Sequence, residues 1–172
     1  SGNINTVGYE MYCDLLSRAV KKLRDEPIEE EPSAVIDLGF AAFIPKSYIA
    51  SDRQRMDAYR QVAMSRTGED LERVAGQLRD LFGELPGQVR QLIDMTEIRL
   101  MAGRLGIKSI AVRKPDIIFS FEQKDAVGDL FARVRGRVTI PDPKTIYLRV
   151  SENYFSPGSL LGILRKILSR KG

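Results

Sequence analysis

The chain has 172 residues, 43% hydrophobic and 29% charged, which is enough for one ordinary folded domain with its own core. It has no histidine and one cysteine, which removes the commonest general base and metal ligand, rules out an internal disulfide and leaves no expectation of a metal or cofactor. No apolar run approaches the roughly 20 residues that span a bilayer and the start lacks the order of a signal peptide, so a cytoplasmic domain is expected.

Ser1-Gly2 ahead of Asn3 looks like a cloning remnant, and a helical pattern begins at once without an initiating Met. Residues 3–172 are therefore read as a single domain cut from a longer protein. Tyr9, Tyr12, Leu15, Leu16, Ala19 and Leu23 recur at helical spacing over residues 7–24, with Cys13 in a small apolar role. Pro27, inside the acidic run from Asp25 to Pro32, ends that helix. A short strand is expected over Ala34–Leu38, then an irregular crossing interrupted by Pro45.

Ser51 with Gln54 three residues on makes a capping box for a helix carrying Met56, Tyr59, Arg60, Val62 and Ala63. Thr67, followed by Glu69 and Asp70, caps the next, because acids in a first turn complement the helix dipole. Its inward stripe is Leu71, Val74, Ala75, Leu78 and Phe82, with Gly83 ending it in a left-handed conformation. Pro86 suits the first turn of a further helix with Val89, Leu92, Ile93, Leu100, Met101 and Leu105 inward, closed by Gly106.

"IKSIAV" and "IIFSF", joined by Arg113-Lys114-Pro115-Asp116, read as a hairpin. A short helix from about Lys124 to Arg133, strands near Val138–Ile140 and Ile146–Val150, and a last helix capped by Ser156 with Pro157 first complete the chain. The fold class is α+β: a helical N-terminal half with a small, mainly antiparallel sheet and a C-terminal helix. That last helix is amphipathic through Leu160, Leu161, Leu164, Ile167 and Leu168.

The net charge of +4 is uneven. Residues 156–172 hold Arg165, Lys166, Arg170 and Lys171 and no acid, and Arg133, Arg135 and Arg137 form another basic group. No loop has the spacing of a phosphate-binding or calcium-binding motif. Acid-base or nucleophilic catalysis lacks its parts, since Glu29-Glu30-Glu31 stands without apolar neighbours and no base accompanies a Ser or Cys.

The corner "DLFGELPGQVRQLIDM" at residues 80–95 could be a DNA-reading turn, a packing corner or the support of a docking face. A helical wheel turns Glu69, Arg73, Gly76, Gln77 and Asp80 outward. A DNA-reading second helix needs basic or amide side chains near its start. Here it offers Gln88, Arg90 and Gln91 with one positive charge, and Glu69, Glu72, Asp80 and Glu84 would repel phosphates.

Five segments in order, "VGYEMYCDLLSRAV", "VIDLGFAAFIPKSYI", "DRQRMDAYRQVA", "LRDLFGELPGQVRQLIDM" and "RLMAGRLGIKSI", resemble the C-terminal domain of bacterial transcription-repair coupling factors, the Mfd family. They cover most of residues 7–110. The resemblance implies a non-catalytic regulatory domain. In that family the full protein binds stalled RNA polymerase, translocates on DNA with ATP and Mg, and recruits the excision-repair protein UvrA through an N-terminal UvrB-like module. The C-terminal domain covers that module at rest, an autoinhibitory contact within one chain.

Many relatives read Glu-Leu-x-Asp-Arg-Phe-Gly before the corner, where this chain reads Gln77-Leu78-Arg79-Asp80-Leu81-Phe82-Gly83. Asp80 is kept, while Gln77 and Leu81 depart from the family's charged pair. The resemblance together with the wheel gives Asp80, Gln77, Arg73 and Glu72 as interface candidates. The competing reading is a nucleic-acid-binding accessory domain using the basic C-terminal helix with Arg133, Arg135 and Arg137, which would show steep salt dependence.

Overall fold

The computed structural model describes residues 33–123 and 129–169. The helix expected over 7–24, Cys13 and the acidic stretch to Pro32 lie outside them, as do the first residues of the short helix expected from Lys124. The described residues fall into two compact units, Ala41–Glu97 and, around it in sequence, 33–40 with 98–169.

In the first unit the irregular crossing folds around Pro45, whose carbonyl accepts from the Tyr48 and Ile49 amides. Ile49 is fully buried, and its carbonyl accepts at 3.0 Å from the buried Arg55 guanidinium, which also pairs with Asp52. Helix α1 spans Asp52–Met64, with the Ser51 hydroxyl accepting from the Gln54 amide. It buries Ala58, Tyr59 and Val62, and the Tyr59 hydroxyl accepts from the Ile44 amide at 2.8 Å.

Helix α2, Gly68–Phe82, starts on a complete capping box. The Thr67 hydroxyl accepts from the Asp70 amide at 3.0 Å, and the Asp70 carboxylate accepts from the Thr67 amide at 3.1 Å. Leu71, Val74, Ala75 and Leu78 are buried as the stripe requires. Phe82 is not a core residue but half-buried, because α2 ends there and its ring packs edge-on against Tyr48, 5.9 Å between centroids. Gly83 has the expected positive φ, 89°, but an extended ψ of −171° in place of the left-handed helical one.

Helix α3, Gly87–Arg104, begins one residue after Pro86, whose carbonyl accepts from the Val89 and Arg90 amides. Val89, Leu92 and Ile93 are buried as expected, whereas Leu100, Met101 and Leu105 are half-buried. Met95, Thr96, Ile98 and Ala102 are buried as well, so the helix is enclosed over more than one stripe. The buried Thr96 hydroxyl is satisfied within the helix by donating to the Leu92 carbonyl at 2.8 Å.

The second unit holds a five-stranded sheet in the order β1-β2-β3-β5-β4: β1 Val35–Asp37, β2 Ile107–Arg113, β3 Asp116–Phe121, β4 Arg137–Asp142 and β5 Thr145–Arg149. The expected hairpin is β2–β3, with a cis Lys114–Pro115 bond in its turn. Only β1 pairs in parallel, Ile36 opposite Ile110, an arrangement that needs a long crossover, which α1 to α3 supply. Strict alternation places Ile117, Phe119 and Phe121 of β3 and Ile146 and Leu148 of β5 on the buried face.

Residues 129–133 form turns, not the helix expected there, with the Phe131 ring edge-on to Phe119 at 5.0 Å. A 3-10 turn over Glu152–Phe155 leads into α4, Pro157–Leu168, which buries Leu160, Leu161, Ile163, Leu164, Ile167 and Leu168. Ser156 stands at its cap position without a side-chain bond, leaving Pro157 as the start signal. The architecture is α+β, with four α-helices and a mixed, mostly antiparallel sheet among the described residues.

Candidate protein-docking site

The corner after α2 is built from the irregular segment before α1. The Tyr48 hydroxyl lies 2.8 Å from the Gly83 carbonyl and 3.0 Å from the Leu78 carbonyl, placing its single proton between two acceptors at a helix end that has unsatisfied carbonyls. Burial raises the Tyr48 phenol above its ordinary value, with Arg79 opposing that shift. The Gly83 amide closes the helix on Arg79, 2.9 Å away. These bonds fix where Asp80 and Leu81 stand.

Beside them lies an open cleft of about 430 Å³. One wall is α2, with Gln77, Leu78, Asp80, Leu81 and Phe82, and the other is α1, with Gln54, Asp57, Ala58 and Gln61. Three carboxamides, two carboxylates and an apolar floor therefore converge, a mixture suited to a polar protein surface with one apolar contact. Asp57 has a neighbour in Arg60 at 3.1 Å, both half-exposed. Leu81 is 73% exposed, the most exposed large apolar side chain among the described residues.

The four residues singled out in the sequence do not all line the cleft. Gln77 and Asp80 share the cleft. Arg73 does not line it and pairs with Asp70 at 3.3 Å; Glu72 does not line it and receives Arg90 at 3.2 Å. All four side chains reach solvent. The Asp70 carboxyl is held below the usual range, first by the Arg66 amide and then by Thr67 and Arg73. The Glu72–Arg90 pair also occupies the one positive charge at the start of α3, which speaks against a DNA-reading corner.

Sequence reasoning missed the α1 wall. Gln54, Asp57 and Gln61 repeat at helical spacing and could be read as an outward polar stripe, but no local signal says which helix they stand beside. Leu81 departs from a family pattern, yet that departure does not reveal its exposure. Among the described residues no group of three His, Cys, Asp or Glu side chains is placed to hold a metal ion. Nor is any described helix long and apolar enough to cross a membrane.

The competing basic group is scattered by the fold. Arg133, Arg135 and Arg137 lie exposed before and at the start of β4, whereas Arg165 and Lys166 stand in the last turn of α4. Arg170 and Lys171 lie outside the described residues.

Comparison with known proteins gives these features a context. Residues 38–129, just over half of the chain, match the family model of the TRCF domain. The chain is 26% identical over 156 residues to the transcription-repair-coupling factor of Rickettsia bellii, and 29% identical over 154 residues to that of Staphylococcus aureus strain USA300. These alignments take in 87% and 88% of the chain but only 14% and 13% of the relatives, so it spans about one seventh of their length. A crystal structure of the C-terminal domain of a transcription-repair coupling factor superposes with a TM-score of 0.66 at 18% identity, covering 80% of this chain and 94% of that one, and so shares its fold. The chain belongs to the TRCF domain family, the C-terminal domain of transcription-repair coupling factors.

Proposed function

We propose that this domain is a non-catalytic, cofactor-free clasp that covers a UvrB-like, UvrA-binding module of its own parent chain, through the cleft between α1 and α2. The parent is then an ATP-dependent DNA translocase that displaces stalled RNA polymerase and recruits excision repair, and the clasp restrains both acts until the protein engages polymerase. The observation that carries this reading is the convergence of Gln77, Asp80, Asp57 and the exposed Leu81 around one cleft on a firmly built pair of helices.

The composition of the cleft suits a switch. Tethering supplies an effective concentration in the millimolar range, so a polar contact of modest strength suffices to keep the clasp closed. Modest strength also lets a second binding event open it, provided that event favours the open state. Gln77 and Leu81, where many relatives carry Glu and Arg, shift the contact from charge pairing toward amide and apolar contact in this chain.

Binding of this chain to the UvrB-like module of the same parent, by calorimetry at physiological salt, tests the reading. Asp80→Ala should weaken it about ten-fold, as expected for a hydrogen bond to a charged group, whereas Arg73→Ala, outside the cleft, should change it little. Equal binding by the wild type and Asp80→Ala would place the contact elsewhere.

A further inference from the structure

The second unit carries a concentration of arginine that the clasp does not use. Arg137 of β4 stands directly opposite Arg149 of β5, and Arg149 directly opposite Asp116 of β3, so one cross-strand row reads acid, base, base. Like charges facing each other across neighbouring strands are destabilising on their own. Asp116 engages Arg149 with both oxygens, Nε to Oδ1 at 2.9 Å and Nη2 to Oδ2 at 3.0 Å, which lowers the Asp116 pKa and raises that of Arg149. One carboxylate thus orients one guanidinium and leaves the second positive charge of the row uncompensated.

Next to that row is an open cleft of about 550 Å³ lined by Arg135, Gly136, Arg149, Val150, Ser151, Asn153 and Tyr154. No carboxylate lines it; the nearest acid in sequence, Glu152, is turned to Lys114 at 3.2 Å. Gly136 lets the chain run close along β5, since a Cβ there would sit 2.7 Å from the Arg149 carbonyl oxygen. Two arginines, neutral Ser151 and Asn153, and the half-buried Tyr154 therefore surround one opening, with Arg137 alongside.

We propose that this cleft and the adjoining arginine row bind the sugar-phosphate backbone of a single nucleic-acid strand, a site separate from the clasp. Guanidinium groups match phosphate oxygens in a bidentate fashion, and a phosphate between Arg137 and Arg149 relieves the unbalanced row. Because the cleft is open to solvent and encloses little of what enters it, it suits a nucleotide of a continuing strand better than a small molecule that must be largely buried. Tyr154 adds an aromatic surface for an unpaired base, which a duplex does not present. The α3 corner contributes nothing here, nor does the basic end of α4.

Fluorescence anisotropy of a labelled oligothymidylate of about ten nucleotides, titrated with the 172-residue chain across a salt series, tests the site. Arg135→Gln and Arg137→Gln lie on exposed side chains and should each weaken binding about ten-fold. Each should also make the salt slope shallower by about 0.7 for every phosphate that is no longer neutralised. Arg165→Gln with Lys166→Gln should leave both unchanged. Three results overturn the proposal: no binding at low salt, equal competition by oligoglutamate, or a loss confined to the α4 double variant. Preference for a duplex of the same length overturns the single-strand assignment.

Discussion

Tyr48 shows how much one side chain sets in this protein. It comes from an irregular segment, yet its hydroxyl serves two carbonyls at the end of α2 and its ring meets Phe82. Tyr48→Phe keeps the ring and removes the bonds, so it should cost about 1 kcal/mol and lower the melting temperature by about 3 °C, read by calorimetry. It should also weaken docking at the first cleft, because Asp80 and Leu81 lose a fixed helix end. None of this is legible in the sequence. "PKSYIA" reads as a loop, and a tyrosine thirty residues from its partner gives no local sign of these bonds.

For the elements, local signals are legible and pairings between segments distant in sequence are not. The Thr67 cap, the Leu71 to Leu78 stripe and the β2–β3 hairpin each depend on residues a few positions apart, and each is present, whereas the capping box expected at Ser51 and Gln54 is formed only by the Ser51 hydroxyl. Phe82 follows the stripe by period but lies past the last enclosed turn, where periodicity no longer implies burial. The contrast between nearby α2 positions is testable by denaturant unfolding. Leu78→Ala should cost about 2–5 kcal/mol, as for a leucine removed from a packed core. Leu81→Ala should stay within about 0.5 kcal/mol while still altering docking. The α1 wall of the cleft follows from helix packing, as the parallel seat of β1 follows from sheet topology, and single-sequence patterns encode neither.

Across the whole molecule, the absence of histidine leaves few groups that titrate between pH 5 and 8. The carboxyls of Asp52, Asp70 and Asp116 are held low, each chiefly by hydrogen bonds in the folded state: Asp52 by Arg55, Asp70 by the Arg66 amide and Asp116 by Arg149. A depressed folded value gives stability that is present above the ordinary carboxylate value of about 3.9 and lost as pH falls through the folded value. Tyr48 and Tyr59 are raised, mainly by burial, so their contribution holds below about pH 10 and is lost as pH rises through their folded values. Melting temperature against pH should therefore be a plateau from about 5 to 8, falling below about 4 and above about 10. A step near pH 6.5 would contradict this assignment of the titrating groups.

The outer border of the sheet has a consequence for how the protein behaves in a crowded solution. Strand β4 exposes Val138 and Ile140, a sequence that would otherwise recruit a neighbour's strand. It is bounded by Arg137 and Asp142, its register slips between Thr139 and Asp142, and Pro141 offers no amide hydrogen there. At the other border β1 is three residues long. A chain meeting either rim is offered few consecutive donors and acceptors, which disfavours extension of the sheet by a neighbouring copy.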